Sequence, residues 1–172
     1  LIDSTKSVWF QGRFAFICAF AYNNVERNQE WLDAAKSTLD FIERHCFDTD
    51  GHMFFSVTAE GTPLRKRRYV FSETFAIIAM SEYSIATGDK TYAEKALKLF
   101  KDTQRFLATP GFLTPKYEPN LDVQGHSIVM ILINVASRLR EAISDPVIDQ
   151  QIDESIDKLR KYFMHPEFKA LL

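Results

Sequence analysis

Three helix-length stretches of this sequence have no polar side, and three others have one. KSVWFQGRFAFICAFAY (residues 6–22), FSETFAIIAMSEYS (71–84) and HSIVMILINVA (126–136) are apolar almost all the way round. The stretches that alternate with them carry single stripes at helical spacing. These are Trp31, Ala35, Leu39, Ile42 and Cys46; Tyr92, Ala96, Leu99, Phe100, Thr103 and Phe106; and Ile148, Ile152, Ile156, Leu159 and Phe163. A helix that is apolar on every side needs cover on every side, whereas a single stripe covers a neighbour and leaves the other face wet. The alternation predicts an all-α fold in which an inner row of helices is wrapped by an outer row, an α/α toroid. A plain six-helix bundle is the simpler alternative, but it gives no reason for three fully apolar helices. Three helix pairs do not close such a ring. The sequence also enters its first apolar helix a few residues after Leu1 and stops at Leu172 without a closing element. The expectation is therefore one partial toroid domain over residues 1–172, with the remainder of the domain outside this chain.

The punctuation supports six helices and one excursion. Asn28, Ser72 and Asp89 are N-cap residue types at helix starts, Gly88 is a C-terminal stop, and Asp145-Pro146 is a cap followed by proline at the first helical position. Between helices two and three, MFFSVT and PLRKRRYVF flank a Gly-containing turn, which predicts a small β-hairpin near residues 52–69. Its basic run at 65–68 stands alone and reads as a solvated strand or loop rather than a nucleic-acid contact. A long Pro-containing loop covers 108–124. The short connections lie at one end of the helices and the long ones at the other, beside the amino ends of the inner helices. Long loops in compact domains tend to carry function. Trp9, Arg13, Glu73 and His126 open those helices and should gather toward one mouth.

Composition narrows the function classes. A formal net charge of −2 argues against nucleic acid or an acidic membrane surface as partner. Arg13, Glu73 and Glu82 interrupt the apolar runs, so no membrane span is expected. Cys18 and Cys46 have no metal-ligand spacing and read as buried free thiols of a reducing compartment, the cytoplasm. No Gly-rich phosphate loop, metal cluster or Ser/His/Asp order is present, and no cofactor is expected.

Arg13 is the most informative residue. A guanidinium stays charged in a protein, so one placed in an apolar helix meets a buried acid or lines a wet cavity that receives a polar ligand. Glu73, at similar depth on the next inner helix, is the expected partner, in a buried pair or a shared ligand contact. Trp9 and Phe71 are either core or the aromatic wall of a mouth. Asn134 is expected to be hydrogen-bonded in a deep apolar run, and His45, His52 and His165 to lie at the surface.

KSVWFQGRFAF resembles the first inner-helix signature of the N-acylglucosamine 2-epimerase family (renin-binding protein). EWLDAAKSTLDFIERHCFDTDGHMFFSVTAEGTPL and YVFSETFAIIAMSEYSIATGD follow in the family's order, so the resemblance runs along essentially the whole chain. It implies an (α/α)6 barrel, of which this chain is about the first half without its opening helix. It implies an isomerase, a sugar 2-epimerase that interconverts N-acylglucosamine and N-acylmannosamine by proton abstraction and return at C2 of the ring-opened sugar. The family's two proton-transferring histidines would fall after Leu172, so no catalytic group is expected within this chain.

On the same resemblance Arg13 helps hold substrate oxygens. Trp9, Gln11, Phe71 and Glu73 match family motifs as substrate-binding candidates, and His126 is included because disaccharide-type relatives carry a histidine on this helix. A nucleotide effector stays open, and a homodimer is compatible with the pattern. Two other readings remain: a related carbohydrate-active toroid (an aldose–ketose or disaccharide epimerase or isomerase, or a glycoside hydrolase), and a non-catalytic helical scaffold for a partner protein.

Overall fold

The structure, a computed structural model, describes residues 3–66, 69–114, 120, 123, 125–165 and 167. Its helices are α1 (Val8–Asn24), α2 (Gln29–His45), α3 (Phe71–Thr87), α4 (Lys90–Ala108), α5 (His126–Ala142) and α6 (Pro146–Tyr162). Three short strands, β1 (Lys6–Ser7), β2 (Phe54–Val57) and β3 (Pro63–Lys66), form an antiparallel sheet in the order β1-β2-β3. Each inner helix packs on the outer helix that follows it, α1 on α2, α3 on α4 and α5 on α6. The inner helices also pack in a row, α1 on α3 and α3 on α5. This is an arc of an α/α toroid, two helical layers deep.

Local chemistry sets the helix ends. The side chains of Asn28, Asp89 and Asp145 accept from Glu30 N, Thr91 N and Val147 N, satisfying amides that have no partner within their helices. Gly88 takes φ 74° at the end of α3, a left-handed position that costs glycine nothing. Ser72 is not the cap of α3: the helix begins one residue earlier, at Phe71, and Ser72 Oγ donates instead to the Phe54 carbonyl at 3.0 Å. The predicted hairpin is present as β2 and β3, and it recruits β1, a strand too short to announce itself in sequence.

Among the described residues only α3 is covered all round. Every residue from Ser72 to Ser84 is buried, because neighbours flank it on both sides and α2 and α4 lie behind it. The expectation that α1 and α5 are equally covered fails within this chain. Phe10, Phe14 and Ile17 form an exposed edge on α1, and Met130 and Asn134 are exposed on α5. Both helices end the arc, so each lacks one lateral neighbour here. Asn134 is thus at a surface rather than deep in the core.

Cys18 and Cys46 are buried free thiols, and burial pushes Cys46 up to about 12, which leaves it protonated and inert. Among the described residues no helix is long and apolar enough to cross a membrane.

Candidate functional site on the concave face

A contact that crosses α3 identifies the concave side of the arc. Arg138 of α5 lies over Phe16 and Phe20 of α1, at 5.9 and 5.7 Å from the ring centroids. It also pairs with Glu82 of α3 at 3.3 Å. Since α3 separates α1 from α5, this contact runs over the side of α3 that α2 and α4 leave free. Stepping back along each helix by four, three and four residues stays on one face, because a turn is about 3.6 residues. The concave stripes are then Trp9, Arg13, Phe16, Phe20 on α1; Phe71, Phe75, Ile78, Glu82 on α3; and Ser127, Ile131, Asn134, Arg138 on α5.

At the end of the stripes near the long loops the side chains converge. The Trp9 ring meets Phe55 of β2 at 5.1 Å and Phe71 at 5.4 Å, both edge-on, and Phe75 at 6.0 Å. The Arg13 guanidinium is exposed and stacks over the Phe75 ring at 4.0 Å. It has no carboxylate partner among the described residues, so its donors face the open side. An aromatic wall beside free guanidinium donors suits a polar ligand with one apolar face.

The other end is closed by charge. Glu82, buried, accepts from Asn23 Nδ2 at 2.7 Å and meets Arg138, which in turn holds Glu141 at 2.7 Å. These bonds tie three inner helices together. Replacing Arg138 by alanine should lower the unfolding free energy by about 2 kcal/mol, because Glu82 then loses a charged partner while keeping Asn23. Changing Arg138 and Glu82 together to leucine should recover most of that loss in a urea titration. No recovery would mean that the pair is not what Arg138 contributes.

The sequence-selected residues separate into two groups. Trp9, Phe71 and Arg13 come together. Gln11, two residues from each of Trp9 and Arg13 on the same helix, points to the other side of α1, and Glu73, two residues past Phe71, points to the other side of α3. The expected Arg13–Glu73 pair is not formed. Glu73 Oε1 accepts from His52 Nδ1 at 2.5 Å and from Met53 N at 2.6 Å, behind α3, where the His52 ring lies 5.7 Å from Phe106 of α4. His52 is accordingly buried, not a surface residue. His126 turns to the end of the outer layer, its ring 5.0 Å from Phe163, and stays off the concave stripe of α5.

Phe55, Phe75, Asn134 and Arg138 are among the concave residues that sequence reasoning did not select. Of the basic run, Arg67 and Arg68 lie outside the described residues. Lys66 is held by Asp48 and Asp50 at 2.7 and 2.6 Å, and Arg65 lies 5.8 Å from the Phe55 ring. Burial works against the Lys66 ammonium, but the two carboxylate hydrogen bonds outweigh it and raise its pKa. Among the described residues no three His, Cys, Asp or Glu side chains sit close enough to share a metal ion.

Layered helix hairpins with a polar and aromatic concave mouth define an α/α toroid protein. The chain belongs to the N-acylglucosamine 2-epimerase family, whose sequence model matches residues 1–167. It is 29% identical to human N-acylglucosamine 2-epimerase over 146 residues, covering 81% of this chain and 34% of that protein. It is 32% identical over 101 residues to cellobiose 2-epimerase of Ruminococcus albus, covering 58% of this chain and 26% of the relative. A solved sugar epimerase from a ruminal bacterium superposes with a TM-score of 0.85 at 23% identity, over 98% of this chain and 47% of its own. The chain spans about a third of the length of the curated relatives it matches.

Proposed function

We propose that the whole protein is a sugar 2-epimerase that interconverts N-acylglucosamine and N-acylmannosamine, and that this chain supplies the substrate-holding half of its barrel. The observation that carries the reading is Arg13, a guanidinium without an acid partner among the described residues, beside the Trp9–Phe71–Phe75 wall on the concave face. A pyranose can lay its apolar face on such a wall while its oxygens take the guanidinium donors. Family membership supplies the reaction class. The epimerisation removes the C2 proton of the open-chain sugar, leaves an enediolate whose oxygen needs a donor, and returns a proton to either face. Arg13 is suited to hold that oxygen.

The proton-transferring groups belong, on this proposal, to the remainder of the barrel. Each of the four histidines here is placed elsewhere: His45 against Phe41, His52 on Glu73, His126 on Phe163, and His165 on the Glu167 amide. The exposed apolar edge of α1, Phe10, Phe14 and Ile17, is where the next inner helix of the same ring would pack. A glycoside hydrolase needs two carboxylates facing one bond. Glu73 is turned behind α3 and Glu82 is tied to Asn23 and Arg138, which disfavours that reading.

The test is to incubate the intact protein with N-acetylmannosamine in deuterium oxide and follow C2 by NMR. Deuterium at C2 together with the epimer is the expected result. Epimer formed without solvent deuterium would contradict proton transfer. Turnover of cellobiose or mannose in place of the N-acyl sugar would keep the chemistry and move the substrate.

A further inference from the structure

Two of the three rings around Trp9 come from different parts of the chain. Phe71 is the first residue of α3, and Phe55 sits on β2, at the end of a nine-residue excursion from the end of α2. What joins these two parts next to the rings is a small set of buried polar bonds. Glu73 Oε1 takes both the His52 Nδ1 hydrogen and the Met53 amide, and Ser72 Oγ donates to the Phe54 carbonyl. All three residues, Ser72, Glu73 and His52, are buried. The bonds fall on the residues just before Phe55 in one segment and just after Phe71 in the other.

We infer that Glu73, His52 and Ser72 are positioning residues that clamp β2 onto the start of α3 and so fix the spacing of Phe55 and Phe71 around Trp9. They touch no ligand themselves, since Glu73 and His52 lie behind α3, on the side away from Arg13. Their buried carboxylate is strongly committed: both hydrogen bonds end on one oxygen, and bonds to a charged acceptor in a dry site are short and resist exchange with water. The loop that delivers His52 is itself preset. Gly51 takes φ 83°, Asp50 accepts from His52 N at 2.9 Å, and Asp48 N donates to the His52 carbonyl at 3.0 Å. The clamp therefore holds an already formed loop against a helix end, and its release would leave β2 held beside Trp9 by β1 alone, with the Phe55–Phe71 spacing free to open.

The inference rests on the reading of the Trp9–Arg13 mouth as a sugar site, and its test separates the two. In the intact protein, His52→Leu should raise KM for N-acetylmannosamine about tenfold while kcat stays within about twofold. His52→Asn, whose amide can occupy the place of Nδ1, should restore KM to within about twofold. Ser72→Ala, a gentler change should His52→Leu fail to fold, should show the same split at smaller size. Amides of residues 54–57 should exchange hydrogen about tenfold faster in His52→Leu than in the parent, with those of α5 unchanged. A lowered thermal midpoint with KM and exchange at 54–57 unchanged would overturn the clamp, as would a folded His52→Asn that fails to restore KM. If the parent turns over no sugar, the substrate reading fails, and the clamp then stands or falls on exchange at 54–57.

Discussion

Arg13→Ala in the intact protein should lower kcat/KM for the proposed sugar substrate about a hundredfold and barely move the thermal midpoint. Both halves follow from the placement of the guanidinium. It is exposed, it has no carboxylate partner among the described residues, and it stacks on the Phe75 ring at 4.0 Å. An exposed cation–π contact is worth about 0.5–1 kcal/mol, so the fold loses little. Activity loses more, because a donor aimed at an oxygen that gains charge during reaction typically contributes about 10²–10³ in rate. Arg13→Lys should sit between, since an ammonium keeps the charge and loses the flat stack and the paired donors. Steady-state kinetics and a thermal melt on the same preparations check it. Activity that survives the alanine would remove Arg13 from the site. A large fall in the midpoint with little change in rate would make it a structural residue and favour the partner-binding scaffold.

The arc was readable from periodicity because burial leaves its mark on every turn of a helix. The one-sided helices α2 and α4 carry their stripes where the sequence put them. On α6 the buried residues are Ile148, Gln151 and Ser155, whereas the predicted Ile152, Ile156 and Leu159 are only half-buried. The caps at Asn28, Asp89 and Asp145 form as their chemistry requires. What misled was reading all-round apolarity as all-round cover within 172 residues. Phe14 and Ile17 are apolar yet exposed at the edge of the arc, and composition alone does not distinguish an edge position from a core one.

The mouth was half legible. Trp9 and Arg13, four apart, share a face, and adding the next positions at three and four gives Phe16 and Phe20. The same spacing on α3 gives Phe71, Phe75, Ile78 and Glu82. It also excludes Glu73, which lies roughly 200° around the helix from Phe71. Pairing Arg13 with Glu73 by depth alone ignored that angle. The true partner, His52, comes from a loop whose path no helical periodicity encodes. Phe55 was hidden for the same reason, because β2 reaches Trp9 through tertiary pairing with β1 and through the bonds to Ser72 and Glu73.

Gly12→Ala should destabilise the protein by about 2 kcal/mol, although alanine is the better helix former. A Cβ built on Gly12 meets Phe75 Cβ at 2.7 Å and the Phe75 backbone carbon and oxygen at 2.8 and 2.9 Å. Two of those three atoms are main chain inside a helix buried on all sides, so no rotamer change relieves the contact and α1 has to move off α3. Overpacking of this kind costs about 1–3 kcal/mol, and backbone contact places it at the upper end. The gain of roughly 1 kcal/mol from replacing glycine within a helix offsets part of that. Gly12 is also one residue from Arg13 and packs on the residue whose ring Arg13 covers, so separating the helices shifts that ring under the guanidinium. The stability loss, read from the urea midpoint, should therefore arrive with a raised KM, unlike Arg13→Ala, where activity falls alone. A neutral or stabilising Gly12→Ala would mean that α1 and α3 stand farther apart than this arc places them, and the alignment of Trp9, Phe71 and Arg13 into one mouth would lose its support.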